Sequence, residues 1–273
     1  MHRQIKAALL SVPNANHVSE IVCKHFGNNC LLVDGKYLHV KGFKEKIPLI
    51  WGIDEFSHDI LVYQLAISEN YEAYHALFSK LKAMQYPMQV LICDEHPSIV
   101  LAAKQVYPNT KVQICLNHFK ETIRRKLAIR TSDQHKQFMS DIESLFKATR
   151  SKRFSYWAKR MLFRYGQKEI YRDIMFDINL KFAYLTTYYE TKCPKTTNLI
   201  EAYNSHLEAR IKSLRGFGSF VNAEMWLNAY IMNRRLSKFS GCRGKYRYLN
   251  GFAPLQLSAK EDAIKISLLK NVV

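Results

Sequence analysis

The sequence lacks the features that mark secreted and membrane-spanning proteins. Its six cysteines occur without any Cys-x-x-Cys pair, and the chain does not open with a charged segment followed by an apolar one. No uncharged apolar run approaches the roughly 18 residues that a membrane-spanning helix needs. We therefore expect a reduced, soluble, cytoplasmic protein, associated with the nucleoid if the source is bacterial.

The sequence is also short of acidic residues, and this shortage points to a polyanionic partner. Asp and Glu number 23 against 41 Lys and Arg, which gives a net charge of +18 and a pI near 9.6. Nucleic acid is a more probable partner for such a chain than a membrane surface. With 273 residues and 48% apolar composition, the chain is long enough for one large domain or a domain that carries an insertion.

Basic residues are concentrated in runs, two of which are interleaved with aromatic residues. The runs are KETIRRKLAIR from Lys120, SKRFSYWAKRMLFR from Ser151 and NRRLSKFSGCRGKYRY from Asn233. Cations suit phosphates, and rings offer stacking surfaces to bases or sugars. Each run by itself is equally typical of a solvated helix face whose aromatic residues lie in the core. Together the three runs favour DNA or RNA binding.

The order of predicted elements indicates a mixed α/β fold. Three β-rich runs at residues 30–40, 46–56 and 59–68 are joined by very short links, which predicts antiparallel pairing. A helix beginning near Asn70, a strand in PMQVLICDE, a helix opened by Pro97 and a short strand in KVQICLN follow. Crossover helices would make the last strands parallel, so we predict an α/β (α+β) mixed sheet covered by helices.

Only helical periodicity is found from His118 to about Glu190, and this stretch is rich in Lys and Arg. We interpret it as a helical insertion. The expected domain limits are residues 1–29 for a short helical segment, 30–125 for the first part of the core and 126–190 for the insertion. Residues 191–240 would form two returning helices, and 241–273 a basic tail.

Two aspartates are placed where a metal site in such a sheet would need them. Asp34 follows Leu31, Leu32 and Val33 within the first strand, and burying a carboxylate there is costly. Asp94 ends the fourth strand, where the chain turns toward the crevice at the strand ends. If the first and fourth strands are neighbours, the two side chains can approach each other. Three carboxylates and water would suit Mg²⁺, so a third is needed.

Glu201 is the candidate for the third carboxylate, on a helix predicted to bury Ile200, Tyr203, Leu207, Ile211 and Leu214. Each of the three carboxylates also has a structural interpretation. Asp34 beside Gly35 is compatible with a hairpin turn, Asp94 with a cap for the helix at Pro97, and Glu201 with a capping box begun by Asn198.

Two further carboxylates compete with these candidates. Glu95 should face away from Asp94 if the strand persists. Asp54 could lie close to Asp34, and we expect it to be structural while leaving a metal-binding role open.

Three segments together resemble the catalytic region of Mutator-like DDE transposases, the type found in many bacterial insertion sequences. They are LLVDGKYLHV, LICDEHPSIVLAAKQVYPNTKVQICLNHFKETIRRKL and TTNLIEAYNSHLEARIKSLRGFGSFVNAEMWLNAYI. The resemblance spans most of residues 30–236. It implies an RNase H-like core of about five strands flanked by helices, with a helical insertion before the last catalytic helix.

The resemblance also implies the site and its partners. Asp34, Asp94 and Glu201 would be the catalytic residues and the ligands of two Mg²⁺ ions, with Mn²⁺ as a substitute. Cys115 and His118 match the Cys-x-x-His motif expected near the active site, where we interpret them as structural or DNA-positioning rather than as half of a zinc site. The partners would be transposon ends and target DNA, with a homo-oligomer on the DNA.

A set of basic residues is expected to hold DNA phosphates: Arg124, Arg125, Lys126, Arg210, Lys212 and Arg215. The sequence differs from the family pattern in one respect, because only 33 residues precede Asp34, where members usually carry a sizeable DNA-binding region. Two alternatives to an active transposase remain open, because they would share the carboxylates or the basic runs. One is an inactive or truncated transposase-derived DNA-binding protein, and the other is an RNase H-like nuclease that cuts without joining.

Overall fold

The computed structural model describes residues 2–24, 26–214 and 216–259. The strands of these residues are β1 (Cys30–Leu38), β2 (Ile47–Asp54), β3 (Ile60–Leu65), β4 (Val90–Cys93) and β5 (Lys111–Ile114). The first helices are α1 (His2–Leu10), α2 (Ala15–Val22), α3 (Tyr71–Ala83), α4 (Pro97–Val106), α5 (Leu116–Lys126) and α6 (Lys136–Leu145).

The later helices follow in chain order. They are α7 (Ser151–Tyr165), α8 (Glu169–Leu180), α9 (Phe182–Thr186), α10 (Tyr188–Thr191), α11 (Asn198–Ile211), α12 (Phe220–Leu236) and α13 (Pro254–Ser258). Two 3₁₀ turns cover Lys212–Leu214 and Gly244–Leu249. No helix in the described ranges is both long enough and apolar enough to cross a membrane.

The five strands form one mixed, open sheet in the order β3-β2-β1-β4-β5. β1 pairs with β2 and β2 with β3 in antiparallel fashion, as their short links predict. β4 pairs with β5 in parallel, because the crossover between them contains α4. The predicted mixed α/β sheet flanked by helices is confirmed, and it is consistent with an RNase H-like core.

Local signals in the sequence account for the beginnings of several helices. Asn14 and Asn70 precede α2 and α3, and their side chains accept two and one hydrogen bonds, respectively, from backbone amides of the first turn. Pro97 is the first residue of α4, where its missing amide hydrogen costs nothing. All regular elements between α5 and α10 are helices, in agreement with the helical periodicity of that stretch.

The chain divides into two compact units. The first comprises Met1–Gln89, Pro97–Thr110 and Asn198–Val273. It contains β1 to β3, and a buried ion pair fastens α12 to the turn before β3. There Arg235 Nε and Nη2 donate to the two carboxylate oxygens of Asp59, both at 2.8 Å, while Nη1 donates to the carbonyl of Ala15. Neither charged side chain is exposed to solvent.

The second unit comprises Val90–His96 and Lys111–Thr197, and it has a hydrophobic core of its own. Phe119, Phe138 and Phe154 are buried at its centre with Ile142 and Ile178. This core joins β5 to helices α5 to α8. The helices of the stretch from 116 to 191 therefore have their own apolar packing.

Candidate active site

Asp34 lies within β1, and its carboxylate has two defined hydrogen-bond donors in the first unit. The residue pairs with Trp51 across the β1–β2 ladder, so the hairpin-turn interpretation is wrong. Oδ1 accepts a hydrogen bond from the Gly35 amide at 2.9 Å, and Oδ2 accepts one from the side-chain amide of Asn204 at 2.8 Å. The side chain is partly buried. A strand thus presents a hydrogen-bonded carboxylate toward α11.

Helix α11 is held against β1 by matching contacts along both elements. Asn204 contacts Asp34, and Glu208 forms an ion pair with Lys36. Two residues of a strand advance about 6.6 Å and four residues of a helix about 6 Å, so the two contacts fit one alignment of helix and strand. Buried Tyr203 also connects α11 to the turn between β2 and β3, donating its hydroxyl hydrogen to the carbonyl of His58 at 2.6 Å.

Glu201 occupies the first turn of α11, three residues before Asn204. Side chains three apart on a helix are neighbours, with Cβ atoms about 5–6 Å apart. Since Asn204 bonds directly to Asp34, Glu201 belongs to the part of α11 that lies near this aspartate. Asn198 is the first residue of the helix rather than the residue before it, and the proposed capping role of Glu201 stays a prediction.

The buried stripe predicted for this helix is only partly correct. Ile200, Tyr203 and Leu207 are buried, whereas Ile211 is half-buried and Leu214 is 41% exposed. The reason is that α11 ends at Ile211 and the chain continues as a 3₁₀ turn. A 3₁₀ turn has three residues per turn rather than 3.6, so the apolar periodicity no longer faces the core.

Asn204 is the site residue that sequence reasoning missed. Its Nδ2 donates to Asp34, and its Oδ1 is buried without a hydrogen-bond partner among the described residues. Buried side-chain carbonyls nearly always have a partner, and an oxygen of this kind beside a carboxylate suits a hard cation or its water. The donor set around Asp34 therefore fits Mg²⁺ or Mn²⁺. The only available signal was that Asn204 follows Glu201 by three residues.

Asp94 follows β4 directly and opens the turn that leads to α4. Its Oδ1 accepts a hydrogen bond from the His96 amide at 3.0 Å, two residues ahead, as in other turns begun by aspartate. This bond holds the turn that precedes Pro97, and the capping role of Asp94 stays a prediction. Its neighbour Glu95 forms an ion pair with Lys181 at 2.8 Å, within the second unit.

Cys115 and His118 lie at the start of α5 in the second unit. Their possible metal-binding atoms are within 4.8 Å of each other. Cys115 is fully buried, and its sulfur accepts hydrogen bonds from the backbone amide and the hydroxyl of Thr197, at 3.3 and 3.2 Å. The thiol therefore connects α5 with the segment that precedes α11. This contact gives Cys115 a structural role.

Comparison with known families identifies the family of this chain. The family model described as "Transposase, Mutator family" matches residues 25–235, well over half of the chain. The chain belongs to the Mutator family of transposases. The matched range contains Asp34, Asp94 and Glu201, together with Cys115 and His118. No curated protein matches the chain.

In this Mutator-family chain, both carboxylate oxygens of Asp54 accept hydrogen bonds from neighbouring residues. Its Oδ2 accepts hydrogen bonds from the amide and the hydroxyl of Ser57, both at 2.8 Å, and its Oδ1 accepts one from the hydroxyl of Tyr86 at 2.9 Å. Burial raises the pKa of this carboxyl, while the three hydrogen bonds act to lower it. These contacts support the structural role expected for Asp54.

The predicted DNA-binding cations of this Mutator-family chain occupy different environments. Arg125, Lys126, Arg210 and Lys212 are exposed. Arg124 is half-buried and forms ion pairs with Glu121 and Glu143. Its guanidinium is therefore engaged within the second unit and is less suited to phosphates than its two neighbours. Arg215 and the tail from residue 260 lie outside the described residues.

Proposed function

We propose that the chain cuts DNA at the ends of an insertion sequence and joins the cut ends to target DNA, using divalent metal. Family membership and the sheet support this function. The specific observation that carries it is the bond between Asn204 and Asp34, which ties the helix of Glu201 to the strand of the first aspartate. β1 and β4 are also adjacent in the strand order, with Asp34 within β1 and Asp94 directly after β4.

In the proposed reaction, two displacements occur at phosphorus. A water oxygen first attacks the phosphodiester at the element's end, and the bond to the 3′ oxygen breaks to leave a 3′-OH. That hydroxyl then attacks a target phosphodiester, and the target's own 3′ oxygen leaves. Two Mg²⁺ ions would activate the attacking oxygen and stabilise the leaving one.

Asp34, Asp94 and Glu201 would hold the ions in this proposal, with Mn²⁺ as a substitute. The chain's own groups have defined tasks. The Gly35 amide and Asn204 orient the Asp34 carboxylate, and the turn amide of His96 orients Asp94. A carboxylate fixed by such hydrogen bonds loses less freedom when it binds a cation.

The exposed cations Arg125, Lys126, Arg210 and Lys212 would contact phosphates of the transposon ends and of the target, in the cytoplasm or on the nucleoid. Two ends must be brought together for transposition, so we propose a homo-oligomer on DNA. Sedimentation of the DNA complex should then give at least two protomers per pair of ends. One protomer per pair would contradict this assembly.

The test compares nicking of supercoiled plasmid in Mg²⁺ or Mn²⁺ by the wild type, Asp34→Asn, Asp94→Asn and Glu201→Gln. DNA binding is followed in parallel. Loss of cutting in all three variants with binding retained is the expected result, and a search for joined products follows. Cutting without joining would identify a nuclease, and binding without cutting in the wild type would identify a DNA-binding relative. If Glu201→Gln still cuts DNA, Glu201 serves only to cap its helix and is not a metal ligand.

A further inference from the structure

A large open groove lies between α6 and α7 in the second unit, remote in sequence from the carboxylates. Its volume is about 1040 Å³, slightly above the roughly 300–1,000 Å³ of ligand sites in proteins. We call it the α6–α7 groove. Its lining residues come from 141–149 and 153–164, and those used below are Asp141, Arg153, Tyr156, Trp157, Arg160 and Phe163.

The charge of the α6–α7 groove favours a polyanion. The lining contains Lys147, Arg153, Lys159, Arg160 and Arg164. Asp141 is the one carboxylate among the lining residues, and it already accepts from Arg164 at 3.3 Å and from the Tyr165 hydroxyl at 2.5 Å. Four cations consequently line the groove without an acidic residue of the groove left to balance them. Phosphates would complement this surface.

Three aromatic rings of the α6–α7 groove are exposed to solvent. Tyr156 is 55% exposed, Trp157 39% and Phe163 91%, whereas Phe154 and Met161 of the same helix face the core. Tyr156 and Trp157 are in edge contact, with centroids 5.5 Å apart. The guanidinium of Arg160 lies over both rings, at 5.8 and 5.3 Å. The aromatic rings are thus supported on one face of α7.

A duplex offers phosphates but keeps the faces of its bases stacked, so the three rings would stay exposed to water. Unpaired nucleotides offer both phosphates and base faces, and stacking on an aromatic side chain contributes about 1–3 kcal/mol per base. We infer that the α6–α7 groove binds a short unpaired segment of DNA. Bases would stack on Tyr156, Trp157 and Phe163, and the cations would contact the backbone. The inference rests on the proposed function only for the choice of DNA as the polyanion.

The test measures binding of a fluorescent oligo-dT of about 12 nucleotides, a length within the ~4–16 nucleotides of known single-strand sites. Binding is measured without divalent metal, by anisotropy, beside a duplex of equal length. The variants are Trp157→Ala and Phe163→Ala. The matched control is Phe176→Ala on α8, which removes a ring that is 52% exposed and does not line the groove.

We expect Trp157→Ala and Phe163→Ala each to weaken oligo-dT binding by about 5- to 100-fold. Duplex binding should change by less than about twofold, and Phe176→Ala should bind both probes as the wild type does. Circular dichroism should stay unchanged in both variants. The melting temperature should stay unchanged in Phe163→Ala, because that ring is 91% exposed. Because the oligo-dT assay contains no divalent metal and measures binding alone, failure of the cutting reaction and failure of this inference are distinguishable.

Three results would overturn the inference. Wild-type binding of oligo-dT by both groove variants would show that the rings do not contact bases. An equal loss of duplex and single-strand binding would make the groove a phosphate-binding surface only. If the groove variants keep oligo-dT binding but sediment as smaller species than the wild type, the groove is a contact between copies of the chain.

Discussion

At the scale of single residues, the proposed site depends on how the carboxylate of Asp34 is held. One oxygen accepts from a backbone amide and the other from Asn204, whose own oxygen is buried without a described partner. Asn204 acts through Asp34 and is therefore a positioning residue in the proposed site. Its effect should be visible in metal dependence.

Asn204→Ala should reduce metal-dependent cutting by about 10- to 100-fold, as is typical when a residue that orients a metal ligand is removed. The Mg²⁺ concentration needed for half-maximal cutting should rise, while DNA binding without metal stays unchanged. Ser205→Ala is the matched control, since that exposed hydroxyl donates to the backbone carbonyl of Glu201 on the same helix rather than to Asp34. An unchanged Mg²⁺ requirement in Asn204→Ala would show that its bond to Asp34 serves only to pack the helix.

His58 is the subject of a second prediction at this scale, because its ring is buried against Phe239 and Tyr246. Burial, and then the charge of Lys245, lower the pKa of His58 to about 4 from 6.5. The unfolded chain therefore binds one more proton than the folded chain between about pH 4 and 6.5. The contribution of His58 to stability is complete above pH 6.5 and is lost as the pH falls toward 4, a change of at most about 3 kcal/mol.

Denaturant unfolding at several pH values checks this prediction. His58→Asn keeps a residue that tolerates the left-handed backbone found there, with φ 56°, and removes the ionisable ring. The free energy of unfolding should vary less with pH between 4 and 6.5 in this variant than in the wild type. His17→Asn, which changes an exposed histidine, is the control. Identical pH profiles for wild type and His58→Asn would contradict the prediction.

The sequence was informative about single residues where a local pattern was present. Asp34 was identified as a carboxylate within an apolar strand, and Glu201 from its position at a helix start. Asn204 was missed because a sequence gives a position on a helix but not which strand residue lies beneath it. Tyr156, Trp157 and Phe163 show the same limit, since a basic and aromatic run does not reveal which of its rings face the core.

At the scale of elements, the chain that follows α11 makes further hydrogen bonds to the segment that follows β1. After α11 the chain returns to the sheet at Phe217, whose amide donates to the carbonyl of His39 at 2.9 Å. The amide of Lys41 donates in turn to the Phe217 carbonyl at 2.8 Å. Gly216 permits this return, because its φ is +100° and a Cβ there would lie 3.0 Å from the His39 oxygen.

Gly216→Ala should destabilise the protein by roughly 1–3 kcal/mol through backbone strain, with the close contact at His39 adding to it. Gly241→Ala is the matched control, since Gly241 also has a positive φ, of +75°, but open space where a Cβ would lie. Chemical denaturation of both variants should show the larger loss at Gly216. Equal losses would mean that the segment moves away from His39 at no cost.

Elements were predictable where neighbouring residues determine them. The three antiparallel strands followed from their short links, and the starts of α3 and α4 from Asn70 and Pro97. The end of α11 was not predictable, because Ile211 and Leu214 continue the apolar spacing although the helix stops. What ends it is the return of the chain to His39, a contact distant in sequence.

At the scale of the whole molecule, the charge of +18 should make DNA binding strongly dependent on salt. The structure separates cations that are available to phosphates from those that are already paired. Lys126 is exposed at the end of α5, whereas Arg124 on the same helix is paired with Glu121 and Glu143. The two residues provide a direct comparison.

Lys126→Gln should make the plot of log affinity against log salt shallower by about 0.9 for duplex DNA, with no change in melting temperature. Arg124→Gln should lower stability by less than about 1 kcal/mol and should leave the salt slope nearly unchanged. The loss is small because Glu143 keeps its ion pair with Lys120, and Glu121 keeps its pair with Arg130. Binding titrations between about 50 and 200 mM salt, the range over which such slopes are compared, check both variants. A shallower salt slope in Arg124→Gln, with an unchanged slope in Lys126→Gln, would contradict this division of the cations.

The central claim is that three carboxylates distant in sequence bind the same metal ions, and mapping with Fe²⁺ in place of Mg²⁺ tests it most directly. Iron with ascorbate and peroxide generates hydroxyl radicals that cut the polypeptide beside the bound ion. The account predicts cuts near Asp34, Asp94 and Glu201 together, suppressed by excess Mg²⁺ and absent in Asp34→Asn. Cuts missing from any of the three segments, or unaffected by Mg²⁺, would contradict it.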